Sequence, residues 1–579
     1  MKIFPEANLK RATLPVLILL PLIMLCSCAH KMGGTDGPQT FQHAAVVTAY
    51  PDASKVGADI LKKGGNAVDA AVAVSFALAV TLPSAGNIGG GGFMVLRMAN
   101  GEANTLDFRE KAPASASRNM YLDSSGNVTA GASLIGTKAA GVPGTVDGMY
   151  SAHEKYGKLP WKQLIQPAID LARNGFRITK QTADGLNGNR EDFMKINPQS
   201  TYLINNDKWK EGDILKQEDL AKTLEIIRDN GRDGFYAGST AQKIVAEMQQ
   251  SNGIITLNDL SNYKSIWRKP ITGFYQGNDS YERYDIITMP PPSSGGVALM
   301  QLLKMMEPYA IARTGFHSSA SVHLMTEAEN RVYADRAEWM GDPDYFHVPI
   351  GQLLDSSYNR NRMKDFDSVH ATPASAIKAG DVTVEEREQT THYSIIDQWG
   401  NAVAVTTTLN GSFGCKVFVE GAGFLLNNEM DDFSIKPGVP NAYGLVGGEA
   451  NAIEPGKRML SSMTPTIVTK NGKLFMVVGS PGGSTIITTV FQTIVNVVDF
   501  NMNMQQAVDA KRFHSQWLPD EIQTEINALD TNVINQLRAM GHKVKERGPI
   551  GHCDAILVLP NGGYETGADN RGDNTPAGW

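Results

Sequence analysis

EEREQTTHYSIID, Glu385 to Asp397, sets a run of charged residues against a pair of threonines and then an alternating apolar stretch. Two threonines at the head of a strand have an ordinary reading, because β-branched residues favour strands. They also have a chemical one. An unassisted threonine hydroxyl is a poor nucleophile and needs a base within hydrogen-bond reach. A threonine at a chain terminus carries such a base in its own α-amine, whose pKa of about 7.7–8.0 leaves it partly neutral near pH 7. An internal threonine gains that amine only if the peptide bond before it is cut. The charged chain before Thr390 and the strand after it suit such a cut, with the strand holding the new terminus at a sheet end. Taken alone, the stretch leaves both readings open.

Downstream, TTHYSIID, QWG and NAVAVTTTLN read as two strands joined by a turn. GAGFLLNNEMDDF, SSMTPTIVTKNGKLFMVVGSPGG and CDAILVLPNGGYE add strand-like segments, and STIITTVFQTIVNVV, NMQQAVDAKRF and DTNVINQLRAM read as helices. Upstream, ASKVGADILKKGGNAVDAAVAVSFALAV reads as two helices. Gly64-Gly65 ends the first, and Asn66 caps a second that is apolar nearly all round and therefore buried. GNIGGGGFMVLRM is a glycine turn into a strand, and ANTLDFREKAP a strand with an arginine near its end. Residues 140–380 are mostly helical by pattern, and their end, HATPASAIKAGDVTVEEREQ, reads as exposed, mobile chain. This mixture predicts an α+β fold of stacked sheets covered by helices.

The chain has 579 residues, 42% of them hydrophobic and 20% charged, with a net charge of −7. That balance suits a large globular core and argues against general attraction to nucleic acid. Lys2, Lys10 and Arg11 precede LPVLILLPLIML, Leu14 to Leu25. This apolar run falls short of the roughly 20 residues that span a bilayer and suits a secretory signal over residues 1–28. Its end, Leu25-Cys26-Ser27-Cys28, resembles a bacterial lipoprotein signal with Cys28 lipidated; ordinary signal cleavage nearby is the plain alternative. Either way the mature chain works outside the cytoplasm, with the periplasm as the expected location. Cys415 and Cys553 are the remaining cysteines, and nothing shows that they pair. No HExxH, CxxC or clustered His and Cys occurs at metal-ligand spacing, so no metal and no cofactor is expected.

Nine motifs in order, GGNAVDAAVA, GNIGGGGFM, DFREKAP, MPPPSSGG, TTHYSIID, GNAVAVTTTLN, LLNNEMDDF, LSSMTPTIV and GSPGGSTIITT, resemble the γ-glutamyltransferase (γ-glutamyl transpeptidase) family of N-terminal nucleophile hydrolases. The resemblance runs from about HAAVVTAYP to the C-terminus. It implies a four-layer αββα sandwich built from two chains of one precursor, a large subunit of about 29–389 and a small one of 390–579 that remain associated as a heterodimer. It implies that Thr390 attacks the carbonyl of Gln389 to cut the precursor. The same hydroxyl then takes the γ-glutamyl group of a donor such as glutathione and passes it to water, an amino acid or a dipeptide. Thr391 is the bland neighbour on the other face of the strand.

The other roles follow from the same resemblance. Thr408, across a hairpin, orients the nucleophile, and Gly482 and Gly483 let backbone N–H groups form an oxyanion hole. Arg109 offers a planar fork to the substrate's α-carboxylate, with Ser461 and Ser462 as further donors. Asn410, Glu429 and Asp432 accept from the α-ammonium. Tyr443, in the Gly- and Pro-rich stretch Pro437 to Gly448, closes over the pocket as a lid. IGGGG lacks the lysine and serine of a phosphate loop and reads as close packing near the site. Each residue also has a bland reading: a surface ion pair for Arg109, a solvated acidic pair for Asp431-Asp432, a simple turn for Asn410-Gly411 and for GSPGG, and strand-edge hydroxyls for Ser461-Ser462.

Three rivals stand beside this reading. A cephalosporin acylase shares the fold and nucleophile but removes a glutaryl group, which has no α-ammonium for Glu429 and Asp432. SNYK, Ser261 to Lys264, matches the SxxK of penicillin-binding enzymes but has no SDN or KTG companion. An inactive lipid-anchored scaffold would need no cut at all.

Overall fold

The strand Thr391–Ile396 pairs antiparallel with Ala402–Thr408, Thr391 facing Thr407 and Ile396 facing Ala402. Asp397 closes the turn between them. Its carboxylate accepts from the N–H groups of Trp399 and Asn401 and from the Asn401 side chain, and it also accepts from Ala67 N at the start of a helix. A computed structural model describes residues 37–205, 207–277, 282–378 and 390–579. Of its leading unit, 1–37, only Gly37 is described, and the rest of the chain forms one further unit. The signal region with Cys28, and Gln389, lie outside the described residues.

The hairpin sits at the centre of a seven-stranded antiparallel sheet. From edge to edge its strands are Thr575–Gly578, Ala45–Thr48, Thr391–Ile396, Ala402–Thr408, Gly91–Arg97, Ala103–Phe108 and Ile266–Arg268. A second such sheet runs Thr40–Phe41, Tyr564–Ala568, Asp554–Val558, Lys473–Gly479, Thr466–Lys470, Tyr284–Thr288 and Ile271–Tyr275. Both sheets draw strands from before and after Thr390.

Period-two alternation divides the first sheet's side chains between two cores. Val46, Met94, Leu96, Tyr393, Ile395, Val403 and Val405 face helices on one side. Ala45, Val47, Phe93, Val95, Ile396, Ala402 and Ala404 face the second sheet. The helices Pro51–Lys62, Ala67–Thr81, Thr145–Tyr156 and Trp161–Asn174 cover the first sheet. Gly295–Met306, Ser319–Trp339, Ile486–Val498 and Met504–Asp509 cover the second. The order is helix, sheet, sheet, helix, as the resemblance implies.

The helix Ala67–Thr81 is buried along its whole length, as its all-round apolar sequence predicts. Its start is a reciprocal cap: Asn66 Oδ1 accepts from Asp69 N, and Asp69 Oδ2 accepts from Asn66 N. Such a cap contributes about 1 kcal/mol.

Two expectations are corrected. GAGFLLNNEMDDF is not a strand; it holds one isolated bridge, Phe418 with Leu425, and a short 3-10 turn at Glu429–Asp432. Leu425 and Leu426 are buried in a loop: Leu426 N donates to Val417 O, Leu426 O accepts from Cys415 N, and the Asn427 side chain donates to Gly89 O and Gly141 O. The segment 370–378 is not wholly exposed either. Ala374 and Ile377 are buried, and Trp517 Nε1 donates to Ala374 O. Cys415 and Cys553 are free and buried, so they form no disulfide, and burial pushes both thiols up to about 12.

Candidate active site

The strand Thr391–Ile396 delivers Thr390 to the mouth of a cleft. Thr390 itself is half-buried. The pairing of Thr391 with Thr407 places Thr390 opposite Thr408, and their hydroxyl oxygens are 3.4 Å apart. Thr408 Oγ also accepts from Asn410 N at 2.7 Å, which fixes the hydroxyl that faces Thr390. Asn410 adopts a left-handed backbone, φ 72°, which asparagine tolerates well. The glycines of IGGGG allow this hairpin to sit close: a Cβ on Gly90 would lie 2.0 Å from Thr408 O. They are packing residues, as expected. Thr391 points away and is buried, its hydroxyl with no hydrogen-bond partner among the described residues.

One cleft gathers Thr390, Thr408, Arg109, Asn410, Glu429, Asp432, Tyr443, Ser461, Ser462 and Gly483. Gly482 stands one residue behind, at φ 137°, as the chain turns from the strand Lys473–Gly479 toward the helix Ile486–Val498. Ile486 lines the cleft, so the helix presents its positive end there.

Arg109 follows the strand Ala103–Phe108 and is fully buried. Its Nη1 pairs with Glu429 and its Nη2 with Asp432, while Nε and Nη2 also donate to Met459 O and Leu460 O. The arginine and the acids expected to grip opposite ends of a zwitterion therefore hold each other. Glu110 lies 3.7 Å from Arg109 Nη1, and its carboxylate oxygens have no hydrogen-bond partner among the described residues. Burial draws the guanidinium's pKa down, but Glu429, Asp432 and Glu110 more than offset that, so Arg109 stays charged. Arg109, with Arg336 acting on Asp432 as well, does not fully offset the burial of three carboxylates. Burial raises all three, and Glu110 is pushed up to about 7.

Two residues escape a reading of the sequence. Arg336, on the long helix Ser319–Trp339, lines the cleft and donates to Ser294 Oγ and Ser462 Oγ. Burial lowers its pKa to about 10, still charged at neutral pH. Ser462 Oγ accepts that bond, which leaves its own proton to donate. Asp431 is the second. It is buried, not solvated; its carboxylate accepts from Ser133 Oγ at 2.6 Å and from Ala442 N at 2.9 Å. Ala442 precedes Tyr443, so Asp431 ties down the tip of the lid.

That lid is shut. Tyr443 is buried, its hydroxyl donates to Asn410 Oδ1, and its ring lies where a Cβ on Gly483 would come within 2.6 Å. The free space left in the cleft is about 20 Å³, room for roughly one water. A second hollow of about 290 Å³ also meets Thr390, bounded by Ser84, Gln181, Ser412, Phe413, His552 and Asp573 among others. Ser261 and Lys264 of SNYK are exposed at the end of a short helix and share no residue with either hollow.

The arrangement brings together a threonine hydroxyl at a strand start, a second hydroxyl facing it, a glycine turn at a helix N-terminus and a buried cluster of both charge signs. Known proteins show the family. The chain is 47% identical over 549 residues to the glutathione hydrolase proenzyme of Escherichia coli (strain K12), covering 94% of this chain and 93% of that one. It is 49% identical over 539 residues to the glutathione hydrolase proenzyme of Pseudomonas aeruginosa, covering 92% and 94%. The crystal structure of a cephalosporin acylase from Bacillus halodurans matches with a TM-score of 0.81 at 24% identity, over 96% of this chain and 99% of that one, a likeness of fold alone. The sequence profile described as gamma-glutamyltranspeptidase matches residues 53–579. With Thr390 and its cleft in place, the chain belongs to the γ-glutamyltranspeptidase family.

Proposed function

We propose that Thr390 is both the point at which this chain cuts itself and the nucleophile of a γ-glutamyltransferase and glutathione hydrolase. The observation that carries the reading is one cleft holding Thr390, Thr408 and the buried Arg109–Glu429–Asp432 cluster. In the precursor the Thr390 hydroxyl adds to the Gln389 carbonyl. The C–N bond breaks as the ester C–O bond forms, and water opens the ester. Gln389 leaves with a carboxylate and Thr390 with an α-amine. The parts on either side of the cut share both sheets, so the two subunits remain one folded body.

In turnover the α-amine of Thr390 takes the hydroxyl proton as the oxygen attacks the γ-carbonyl. The turn at Gly482 and Gly483 and the N-terminus of the helix Ile486–Val498 face the developing oxyanion. The amide nitrogen leaves with a proton through the hollow on the other side of Thr390. Water or the amine of an amino acid or dipeptide enters by the same side and releases the γ-glutamyl group.

Specificity follows from an exchange of ion pairs. A γ-glutamyl donor brings one carboxylate and one ammonium. Its carboxylate takes the place of Glu429 and Asp432 on Arg109, with Ser462 donating, and its ammonium takes the place of Arg109 on the two acids, with Asn410. No buried charge is left without a partner. A glutaryl group supplies only the carboxylate and strands the acids, and a stranded buried charge costs about 3–5 kcal/mol, a factor of about 10² to 10³ or more. That favours a γ-glutamyl donor over the acylase reading.

The charged and apolar leader supports export to the periplasm, with Cys28 as a lipid anchor. Among the described residues no helix is long and apolar enough to cross a membrane. The test is release of glutamate from glutathione, and of γ-glutamyl peptide when glycylglycine is added. The parent should do both and Thr390→Ala neither. Turnover by Thr390→Ala at the parent's rate would remove Thr390 from the mechanism.

A further inference from the structure

Away from the cleft, three potential ligands meet that no local spacing reveals. His323 and Glu327 stand one turn apart on the helix Ser319–Trp339. His542 follows the helix Thr531–Ala539, and Gly541, at φ 108°, turns the chain between them. His323 Nδ1 and His542 Nε2 are 2.7 Å apart, and one ligand atom from each of the three residues lies within 4.8 Å of the others. His323 and Glu327 are buried, and His542 is half-buried.

The surroundings orient these atoms as ligands. His323 Nε2 is 2.7 Å from the carbonyl oxygen of Asp367, which can only accept, so Nε2 carries the proton and Nδ1 presents its lone pair inward. This outer hydrogen bond is the support that metal-bound histidines commonly have. Glu327 is held by Thr372 N at 2.8 Å and by Arg331 Nη1 at 2.6 Å, one bond to each oxygen, which leaves a lone pair on each. Ala371 N donates to Met540 O at 2.7 Å and ties the loop bearing Asp367 and Thr372 to the turn bearing His542. Arg331 offsets one of the two charges of Glu327 and Asp365, so the cluster is net negative and suited to a dication.

We propose that His323 Nδ1, His542 Nε2 and a Glu327 carboxylate oxygen bind a divalent transition-metal ion, with a water on the half-exposed side as fourth ligand. Two imidazoles and one carboxylate suit zinc among the common ions. Bonds of about 2.0–2.1 Å set tetrahedral ligand atoms about 3.3 Å apart. Loading therefore opens the two rings slightly, draws Glu327 inward, and shifts the His542 proton to Nδ1. His323 and Glu327 precede Thr390 and His542 follows it. On the reading that the chain opens at Thr390, the ion clamps large subunit to small; binding itself does not depend on that cut.

The test uses the purified full-length protein, stripped with a chelator and titrated with zinc chloride, then with cobalt(II) chloride for its visible spectrum. One zinc per chain should bind at micromolar concentration or tighter. His542→Gln and Glu327→Gln should each weaken it by more than about 100-fold while glutathione turnover stays within twofold. The cobalt spectrum should be tetrahedral and vanish in both variants. Thr390→Ala should bind zinc as the parent does, which separates this inference from the cleavage reading. In cut protein, zinc should raise the denaturant concentration that parts the subunits. No zinc at stoichiometric level, or unchanged zinc affinity in folded His542→Gln, would overturn the site.

Discussion

The guanidinium of Arg109 is paired with the carboxylate of Asp432, the residue expected to grip the substrate's other end. The pair, with Glu429, is a placeholder with the charge pattern of a zwitterion. On the proposed function, substrate binding exchanges ion pairs without desolvating a new unpaired charge and selects against any ligand that brings one charge only.

Asp432→Ala breaks one half of that exchange. Its kcat/KM for a γ-glutamyl anilide should fall by about 10² or more, since a charged hydrogen bond to a buried ammonium is lost. Its kcat/KM for the matching glutaryl anilide should fall far less. Parallel rate assays on the two substrates decide it, and equal losses on both would contradict the ammonium role.

Asp431 acts one step away. It holds Ala442 and so the closed position of Tyr443. Asp431→Ala should free the segment 437–448 to open. We expect faster proteolytic nicking there, a rise in KM, and a loss of about tenfold in kcat/KM. Self-cutting should be unaffected. Unchanged nicking with unchanged KM would mean that the lid is pinned elsewhere.

Glu110 gives a pH signature. Its pKa rises from the ordinary 4.5 to about 7 in the fold. The folded protein thus binds a proton that the unfolded chain has released. That contribution to stability is fully present below about pH 4.5 and is lost as pH rises through about 7, at up to about 1.4 kcal/mol per pH unit. Glu110→Gln should flatten the fall in denaturation midpoint across this window relative to the parent. An identical pH profile in both proteins would show that Glu110 is ionised throughout.

The hairpin was legible as an unbroken local pattern: TTHYSIID, a turn and NAVAVTTTLN put Thr408 across a hairpin from Thr390, and the structure supplies the register that sets them opposite. The buried helix Ala67–Thr81 was legible for the same reason, an unbroken local pattern. Arg336 was not. The helix Ser319–Trp339 is polar in sequence yet mostly buried, because its charges find partners far along the chain, such as Ser462 and Asp365. LLNNEMDDF misled by composition: its leucines are buried, but its backbone bonds to separate segments, at Val417, Cys415, Gly89 and Leu409, and not along one partner strand. The pairing of Arg109 with Glu429 and Asp432 was hidden too. Each was expected to pair with substrate, but the fold buries the three side by side, and buried charges pair with the nearest opposite charge.

The most direct test of the central claim is the intact mass of the purified mature protein under denaturing conditions, beside Thr390→Ala. The account predicts two fragments from the parent, the smaller beginning at Thr390, and one uncut chain from the variant. A single chain from fully matured parent, or the same two fragments from Thr390→Ala, would contradict it.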